Sequence, residues 1–380
     1  MNVAIIGLGY VGITLSKAIL SAGHRLVGVD IDQKRIDELD DLGIFEVSAD
    51  YEIIKNCEVV LIAVPTPLDE RRKPDLSFLN SAVSGMKPFL TKGSLIVNES
   101  TSFPGTLREV IASELGSGFL YASAPERVDP GNKAWNPQNT PRIIGGLTSE
   151  AAHEARNFYQ TFTDNVHLVS SPEVAEAAKL FENTFRQVNI ALVNEFAQVA
   201  HALGISTTET LEAASTKPFG FMSFTPSVGV GGHCIPVDPS YLSFAADRAG
   251  VKTKFIDLAN QVNLAMPEYL AARVDEESGG SIKGMSIQVS GIAYKSDVSD
   301  LRESPALPLI RALRSRGANV SWHDDLVGSW NSENSVAIKK VDIGIIVTAH
   351  SGVDYTAWKN GQTKVIDVST STETGWPKYL

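Results

Sequence analysis

Short apolar runs alternate with longer mixed stretches along the first part of the chain. The apolar runs lie at residues 3–6, 25–29, 59–64, 95–97 and 119–122. Runs of this length are typical of strands that a parallel sheet buries on both faces. The stretch after the first run has helical spacing through Leu15, Ala18 and Ile19. The pattern predicts an α/β fold that begins with a parallel sheet.

The turn after the first run carries three glycines, in the order Gly7-Leu8-Gly9-Tyr10-Val11-Gly12. Glycines at this spacing, between a strand and a helix, let the backbone approach the pyrophosphate of a dinucleotide. The second run ends at Asp30, near the ~20-residue offset at which a carboxylate meets the ribose hydroxyls. Such a carboxylate repels the 2′-phosphate of NADP. The sequence therefore predicts an NAD site.

Other candidate cofactor residues follow the third and fourth predicted strands. Ligands of parallel sheets lie beyond the carboxyl ends of the strands, which makes Thr66 and Thr101 candidates to contact the cofactor. Turn and cap chemistry explains both threonines equally well from the sequence alone. The residues predicted to bind the cofactor are Gly7, Gly9, Tyr10, Val11, Gly12, Asp30, Arg35, Pro65, Thr66, Ser100 and Thr101.

A long helical period begins at Ser171, which suits an N-cap, and continues to Gly204 with Pro172 at its first position. Its apolar face carries Phe181, Phe185, Val188, Leu192, Phe196 and Val199, and the opposite face carries Lys179, Asn183, Arg186 and Asn194. The polar face fits a solvated surface. It also fits a binding face, because Lys179 and Asn183 are one turn apart and reach toward the same ligand group.

A glycine-rich stretch at residues 229–239 interrupts the helices and contains Cys234, with His233 before it and Asp238 four residues later. Glycines let a ligand lie against the main chain beside a thiol, and a polar pocket activates the thiol as a nucleophile. A small buried side chain is the alternative, and these residues leave both open. No other Cys or His stands at metal-binding spacing, so no metal site is predicted.

Strand and helix patterns alternate again after Gly279 and Gly280. Strands are predicted at residues 285–290, 319–322, 343–348 and 365–368, and a helix at residues 304–316. Before them, a helix at residues 254–277 is expected to kink or break at Pro267. The alternation predicts a second α/β domain, which has no GxGxxG of its own.

Composition and net charge limit the kinds of partner that the protein is expected to bind. The 380 residues carry a formal charge of -11, which argues against a nucleic-acid or membrane-surface partner. Cys57 and Cys234 cannot form a disulfide framework, and no apolar run approaches the ~18 residues of a membrane span. The first residues lack the pattern of a signal peptide. We expect a cytoplasmic protein.

Seven motifs along the chain resemble those of the UDP-glucose/GDP-mannose dehydrogenase family. They are GLGYVG, VPTPLDE, ESTSFPGT, APERVDPGN, AAKLFENTFRQVNIALVNE, GVGGHCIPVDP and GIAYKSDVSDLRESP. The resemblance implies an NAD-binding Rossmann domain at residues 1–170, a central helical domain at 171–278 and a Rossmann-like domain at 279–380 that binds UDP. It also implies a homodimer formed through the central domain. Such enzymes oxidise a nucleotide sugar twice at C6 to the uronate.

The same resemblance assigns candidate roles to individual residues. It makes Cys234 the nucleophile, with Lys179, Asn183, Asp238, Glu126 and Thr101 around the reacting carbon. The residues implied to bind the substrate are Glu126, Arg127, Lys179, Asn183, Arg186, Phe224, Gly231, His233, Lys295 and Arg302. A cysteine that traps the aldehyde as a thiohemiacetal, and then carries a thioester, explains how one pocket performs two oxidations.

The sequence departs from the family pattern in three places. The segment between Leu42 and Tyr51 lacks a helical insertion, and the region after His323 is also compact. Pro130 stands where glucose-specific relatives carry a second carboxylate. The run Ile235-Pro236-Val237-Asp238 resembles the branch that oxidises UDP-N-acetylhexosamines, UDP-ManNAc or UDP-GlcNAc. Arg186 is the candidate to recognise the acetamido group.

Three alternatives stay open from the sequence. UDP-glucose is the alternative substrate within the family. A hydroxyacid dehydrogenase of the 6-phosphogluconate type also joins a Rossmann domain to a helical one, but it makes one hydride transfer and needs no thiol. A degenerate NAD-binding scaffold is the alternative from another class.

Overall fold

The computed structural model describes residues 1–128, 134–371 and 374–380, so that Pro130 lies outside the described residues. The chain divides into two compact units. The first consists of Met1–Glu182 with Ser240–Lys252, and the second of Asn183–Pro239 with Thr253–Leu380. The division into three domains at residues 170 and 278 stays a prediction. No helix among the described residues is both long enough and apolar enough to cross a membrane.

The first unit is built on a twisted sheet of eight strands. In chain order they are β1 (Asn2–Ile6), β2 (Arg25–Val29), β3 (Glu46–Ser48), β4 (Val59–Ile62), β5 (Leu95–Asn98), β6 (Leu120–Ser123), β7 (Arg142–Gly146) and β8 (Val166–Leu168). The spatial order is β3-β2-β1-β4-β5-β6-β7-β8, with parallel neighbours except for β6 and β7. The first six strands have the order of a Rossmann fold, which confirms the predicted fold class.

Helices cover both faces of this sheet. They are α1 (Tyr10–Ser21), α2 (Gln33–Asp40), α3 (Ser77–Met86), α4 (Ser113–Leu115) and α5 (Ser149–Tyr159), with 3-10 turns at Tyr51–Ile54 and Lys87–Phe89 and a π-helical turn at Leu107–Ala112. One core contains Leu15 and Ile19 of α1, and the core on the other face contains Val83 and Met86 of α3. Helices therefore cover the apolar side chains on both faces of the strands, as the continuous apolar runs predicted.

The shortened segment between Leu42 and Tyr51 still completes the edge of the sheet. Its residues Glu46–Ser48 form β3, which pairs in parallel with β2 from Val27 to Val29. The loss of the family's helical insertion therefore does not remove the edge strand.

The second unit contains helices and a smaller sheet. Its helices are the later part of α6 (Pro172–Leu203), then α7 (Thr207–Ser215), the first residues of α8 (Asp238–Arg248), α9 (Lys254–Glu277), α10 (Ala306–Ser315) and α11 (Thr356–Asn360). Its strands are β9 (Ser286–Ser290), β10 (Asn319–His323), a small hairpin of β11 (Ser329–Trp330) and β12 (Glu333–Asn334), β13 (Ile343–Ile346) and β14 (Lys364–Asp367). The sheet is parallel with the order β10-β9-β13-β14. These helices and strands are the elements of the second α/β domain that the sequence predicts.

On helix α6, the amides of the polar face are buried, and several side chains of the apolar face are exposed. Asn183 and Asn194 are buried, whereas Phe181 and Leu192 are 65% and 63% exposed. The solvated-face interpretation of the amides is therefore wrong. It fails because the amide side chains find hydrogen-bond partners inside the protein, which the helical period alone cannot reveal.

A chain of buried amides joins α6 to α9 and to the loop that precedes Cys234. Asn194 accepts the backbone N–H of Ser227 at 2.8 Å and donates to the Asn263 side chain at 3.0 Å. Asn263 in turn donates to the carbonyl oxygen of Gln187 at 3.2 Å. These bonds fix the loop to two helices and give the buried amides of Asn194 and Asn263 partners inside the protein.

Helix α9 continues through Pro267, so that the predicted break is wrong. Proline has no N–H for the carbonyl group four residues earlier, which belongs to Asn263. A Cβ at Gly229 would lie 2.8 Å from that carbonyl oxygen, and Gly229 has a φ of +129°. Glycine is thus required where the loop passes over the proline's turn of the helix.

Candidate active site

The three positions after β1 that carry glycine do so for different structural reasons. A Cβ at Gly7 would lie 2.4 Å from the Ala63 carbonyl oxygen, and one at Gly12 would lie 2.0 Å from the Gly7 carbonyl oxygen. A Cβ at Gly9 would meet no described atom within 4 Å. Packing therefore requires Gly7 and Gly12, whereas the open space at Gly9 matches the place of a ligand that approaches the backbone.

The N-terminus of α1 fits an anion. No described side chain caps this helix, and its first turn, which begins at Tyr10 and Val11, contains no acidic residue. Its backbone N–H groups and the positive end of the helix dipole therefore suit a pyrophosphate. Asp30 accepts the backbone N–H of Leu8 at 2.6 Å and so fixes the glycine turn to the end of β2. These residues fit a dinucleotide.

The predicted contacts beyond β4 and β5 occupy adjacent strand ends. The Ser100 hydroxyl accepts the N–H of Val64 at 2.9 Å and donates to the carbonyl oxygen of Ile62 at 3.3 Å, which joins the two ends. Thr101 follows it and is half-buried. Pro65 is exposed, and the carbonyl oxygen of Thr66 accepts the hydroxyl of Tyr241 at 3.1 Å. Arg35 is on α2, where it pairs with Glu38 at 3.3 Å.

Glu126 belongs to a buried cluster of charges at the carboxyl end of β6. Its Oε1 accepts the N–H groups of Arg127 at 2.7 Å and of Val128 at 2.9 Å. Its Oε2 accepts Nη2 of Arg142 in a short contact, and Nη1 of Arg142 lies 2.9 Å from both oxygens of Glu99. Although burial acts to raise it, the pKa of Glu126 is lowered by Arg142 and by the two backbone donors.

Lys179 and Arg127 have different surroundings in the first unit. Lys179 is half-buried on α6, and its charge contributes to lowering the pKa of Glu126. Arg127 is engaged by protein groups, since its Nε is 3.1 Å from Oε2 of Glu182 and its Nη1 donates to the carbonyl oxygen of Pro141 at 2.7 Å. We therefore assign Arg127 a structural contact that the sequence did not indicate.

Glu176, also on α6, supports the segment after Thr101. Its carboxylate accepts the N–H groups of Gly105 at 2.7 Å and of Leu107 at 3.0 Å. Leu107 begins the π-helical turn and Gly105 lies two residues before it, where backbone N–H groups have no partner within the helix. Burial raises the pKa of Glu176 to about 7. This buried carboxylate thereby fixes the end of the segment that carries Ser100 and Thr101.

In the second unit, Cys234 lies in a turn directly before α8. Its carbonyl oxygen accepts the N–H of Asp238 at 2.8 Å, and its Sγ lies 3.2 Å from Nδ1 of His233. The thiol is half-buried, whereas Cys57 of the first unit is buried and burial raises the pKa of the Cys57 thiol to about 11. A thiol that is accessible and next to an imidazole is the one suited to nucleophilic chemistry.

Asn183 and Asp238 are brought together, because the Asn183 side-chain amide donates to Oδ2 of Asp238. Both side chains are buried, and the same Asp238 begins α8 after the thiol turn. Arg186 is exposed on α6. Phe224 is half-buried, with its ring 6.0 Å from the ring of Phe185.

The loop after β9 packs against the glycines that precede Cys234. A Cβ at either Gly231 or Gly232 would lie 2.7 Å from the Tyr294 side chain, and the N–H of Gly232 donates to the carbonyl oxygen of Arg302 at 2.9 Å. The Arg302 side chain is exposed and donates three bonds of 3.0 Å or less to the Asp300 carboxylate, while Lys295 is half-buried. The thiol turn and the predicted nucleotide loop are therefore in direct contact.

Asp324 and His350 support the nucleotide loop, and sequence reasoning missed both. The buried Asp324 carboxylate accepts the N–H groups of Ile292 and Ala293 at 2.9 Å and lies 3.0 Å from Nε2 of His350. Nδ1 of His350 accepts the N–H of Asp297 at 2.9 Å, which assigns the ring proton to Nε2. The signal was present, because Asp324 follows β10 as Asp30 follows β2.

The two units carry different chemical groups. The first unit has a dinucleotide turn and a charged carboxylate, which suit a redox cofactor. The second unit has an accessible thiol, which suits nucleophilic chemistry, and a hydrogen-bonded pair of amide and carboxylate. Among the described residues, no group of three or more His, Cys, Asp or Glu side chains could hold a metal ion.

The whole chain matches one family of proteins. The UDP-glucose/GDP-mannose dehydrogenase family matches with its NAD binding domain at residues 1–46 and 40–163, its central domain at residues 173–265 and its UDP binding domain at residues 288–372. The match of the first domain confirms the NAD cofactor predicted from the glycine turn.

Individual relatives are similar over most of their length. Protein CapL from Staphylococcus aureus is 35% identical over 349 residues, which are 85% of this chain and 82% of that protein. UDP-N-acetyl-D-mannosamine dehydrogenase from Pyrococcus horikoshii is 34% identical over 390 residues, which are 95% of this chain and 92% of that protein. The solved structure of the P. horikoshii protein has a TM-score of 0.85 and 32% identity, and covers 100% of this chain and 97% of its own.

A UDP-glucose dehydrogenase from Pyrobaculum islandicum has a solved structure with a TM-score of 0.86 and 26% identity. The similarity covers 97% of this chain and 94% of that protein. Three matched domains in the family's order, and relatives above 30% identity over most of the chain, make this protein a member of the UDP-glucose/GDP-mannose dehydrogenase family, an NAD-dependent nucleotide-sugar dehydrogenase.

Proposed function

We propose that this enzyme oxidises a UDP-N-acetylhexosamine, UDP-ManNAc or UDP-GlcNAc, at C6 to the uronate, as a step in the synthesis of surface-polysaccharide precursors. The similarity to the P. horikoshii UDP-N-acetyl-D-mannosamine dehydrogenase over 95% of the chain carries this proposal. UDP-glucose is the second candidate, because the P. islandicum UDP-glucose dehydrogenase has the same fold.

The first unit supplies the cofactor site of the proposed reaction. The N-terminus of α1 and the open space at Gly9 suit the pyrophosphate, and Asp30 suits the adenosine ribose. Bound NAD supplies a hydride acceptor for each of the two oxidations. The side chains of the protein then have to transfer protons, retain the aldehyde and activate water.

Cys234 is the proposed nucleophile. Its thiolate attacks the C6 aldehyde and forms a thiohemiacetal, whose oxidation leaves a thioester that water cleaves to the acid. The contact of 3.2 Å between Sγ and Nδ1 of His233 provides a place for the thiol proton. The tether between sulfur and carbon keeps the aldehyde bound between the two oxidations.

Lys179, Asn183 and Thr101 are proposed to stabilise the oxyanion that develops on C6. A cation and neutral donors aimed at charge that appears only during the reaction lower the barrier without favouring the ground state. Asp238 holds the Asn183 amide in one orientation. Asp238 and Glu126 are the proposed groups for moving protons and activating water.

The second unit is proposed to hold the UDP-sugar. Lys295 and Arg302 provide positive charge for the diphosphate, and Gly231 lets the sugar lie against the main chain. His233 and Phe224 complete the proposed substrate contacts, together with Arg127 and Glu126 from the first unit. The guanidinium of Arg186 is exposed, and it is the proposed group that recognises the acetamido substituent.

We also propose a homodimer that forms through the helical region. Most of the exposed large apolar side chains of the described chain lie between residues 174 and 264. They are Val174, Phe181, Phe185, Leu192, Val199, Leu203, Ile205, Phe219, Phe221, Met222, Val251, Phe255, Leu258 and Leu264. Such a concentration of exposed apolar side chains in one part of the chain is typical of an interface. The cytoplasm is the proposed compartment, because the reaction needs Cys234 as a free thiol.

The first prediction concerns the cofactor. NAD is expected to be used about 100-fold better than NADP, because the Asp30 carboxylate repels the 2′-phosphate. Asp30→Asn keeps the side chain's shape and should reduce this ratio in steady-state kinetics. Lys34→Gln, at an exposed position on α2, serves as a surface control. Equal use of the two cofactors by the wild-type enzyme would contradict the assignment.

The second prediction concerns the sugar. A panel of UDP-ManNAc, UDP-GlcNAc, UDP-GalNAc, UDP-glucose and GDP-mannose with NAD should give the highest kcat/KM for an acetamido sugar. Arg186→Ala should lower that kcat/KM by about 10-fold, the loss expected for one charged hydrogen bond, and should affect UDP-glucose less. If UDP-glucose is the best substrate, the proposed branch is wrong and the second candidate stands.

The third prediction concerns the homodimer. Leu192→Glu places a charge in the apolar surface and should convert the dimer to a monomer in sedimentation velocity experiments. Leu326→Glu introduces the same change at an exposed leucine outside residues 174–264 and should leave the dimer intact. A wild-type monomer at micromolar concentration would refute the dimer proposal.

The fourth prediction concerns the thiol. Wild-type enzyme should form two NADH per uronate, and Cys234→Ser should fold and bind both ligands yet lose uronate formation by on the order of 1000-fold. An alkylating reagent should modify Cys234 and inactivate the enzyme, with protection by the UDP-sugar. Cys57 should stay unmodified, because its buried thiol has a pKa of about 11.

Uronate formation at the wild-type rate by Cys234→Ser would exclude the covalent mechanism. A stoichiometry of one NADH per turnover would instead favour a single-step hydroxyacid dehydrogenase. A protein that binds NAD but forms no NADH with any sugar of the panel would favour the degenerate scaffold.

A further inference from the structure

A single guanidinium lies between two buried carboxylates in the first unit. Arg142 and Glu99 are 3% and 2% exposed, and Glu126 is 8% exposed. Arg142 contacts both oxygens of Glu99 through Nη1 and one oxygen of Glu126 through Nη2. The two carboxylates therefore share one cation inside the protein. The cluster lies at the ends of β5, β6 and β7, and neither Arg142 nor Glu99 has a role in the proposed reaction.

We infer that Arg142 is a positioning residue, which holds the Glu126 carboxylate in one orientation and keeps it charged, and that Glu99 regulates this effect by competing for the same guanidinium. The inference rests on the proposed role of Glu126 in activating water. It adds two residues that do not contact the substrate.

The orientation of Glu126 follows from its three donors. Two backbone N–H groups bind Oε1, and Nη2 of Arg142 binds Oε2, so that neither oxygen can rotate away without losing a charge-assisted bond. Arg142 is itself held, since its guanidinium lies over the Tyr159 ring at 4.6 Å from the centroid. A carboxylate fixed in this way presents a constant lone-pair direction to a water molecule.

The two carboxylates differ in how readily they take up a proton. One cation cannot compensate two anions in a buried site, so that one carboxylate is the easier to protonate. Burial raises the pKa of Glu99 to about 7, despite its contacts with Arg142 and Tyr159, whereas the pKa of Glu126 is lowered. A proton taken up by the cluster near neutral pH therefore resides on Glu99, and Glu126 stays ionised.

Other charged groups act on Glu126 from the neighbouring elements. Lys179 of α6 lowers the pKa of Glu126, and the adjacent Arg127 is paired with Glu182 of the same helix. The Tyr159 hydroxyl of α5 donates to Glu99, and burial raises the pKa of this phenol, so that it stays neutral. Among the described residues, Arg142 is thus the cation that touches the Glu126 carboxylate and Glu99 is its competitor.

Two substitutions are expected to change the pH dependence in different ways. Arg142→Gln removes the cation, raises the pKa of Glu126 and should move the acid limb of the kcat profile upward by at least about one pH unit. Glu99 is already neutral in the pH range where Glu126 titrates, so Glu99→Gln should leave that limb in place and remove the inflection that the ionisation of Glu99 causes near pH 7. General structural damage has no reason to produce these two separate changes from two members of one cluster.

The water step should be the one affected. After mixing with NAD and substrate, Arg142→Gln at pH 7 should form NADH in an initial burst but release uronate about 10- to 100-fold more slowly than wild type. Acid quench and mass spectrometry should then find the acyl group on Cys234. Arg108→Gln, which removes an exposed guanidinium paired with Glu173, is the matched control and should behave as wild type.

Carboxyl 13C NMR titration tests the inference without turnover. The Glu126 signal, assigned by its loss in Glu126→Gln, should titrate at higher pH in Arg142→Gln. The wild-type Glu126 signal should also shift in a separate step near pH 7, as Glu99 ionises and competes for Arg142, and Glu99→Gln should remove this step. If Arg142→Gln fails to fold, the loss of this step in Glu99→Gln remains as the test. Unchanged titration of Glu126 in a folded Arg142→Gln, or the absence of the step in the wild-type protein, would overturn the inference. The proposed function fails separately, if the wild-type enzyme gives no uronate from any sugar.

Discussion

The loops that leave the parallel strands carry backbone N–H groups that the sheet cannot satisfy, and both units solve this problem with side chains from neighbouring strand ends. Asp30 binds the N–H of Leu8, and Ser100 binds that of Val64. Asp324 binds two N–H groups of the loop after β9 in the same way. A buried N–H without a partner costs about 1–3 kcal/mol, so that these bonds help to set the shape of the loops after β1, β4 and β9.

Much of the architecture was accessible from the sequence, because it depends on local patterns. The glycine turn, the five predicted strands of the first unit and both ends of α6 lie within a residue or two of their predicted positions. Strands β3, β7 and β8 were missed, since Glu46–Ser48, Arg142–Gly146 and Val166–Leu168 are short and contain few consecutive apolar residues. The chemical identity of the site came from the motifs, which place Cys234, Asn183 and Asp238 in one family pattern.

The parts that sequence reasoning could not supply all involve contacts between distant residues. The burial of the α6 amides depends on Asn263, 69 residues away from Asn194. The role of Arg142 depends on Glu99, 43 residues away, and the support of the nucleotide loop depends on His350. Each of these side chains is polar and looks like a surface residue in its own segment. Only the pairing of two such segments shows that burying them is favourable.

The proline of α9 has a consequence for the engineering of more stable variants. Replacing a proline inside a helix by alanine is a common way to restore a missing hydrogen bond and straighten the backbone. Here the carbonyl group left free by Pro267 faces Gly229, five residues before the cysteine. A straightened helix would draw that carbonyl group toward the new N–H and open a gap beneath the loop. The helix and the thiol turn therefore have to be redesigned as one unit, because a gain in stability at residue 267 would come at the expense of order around Cys234.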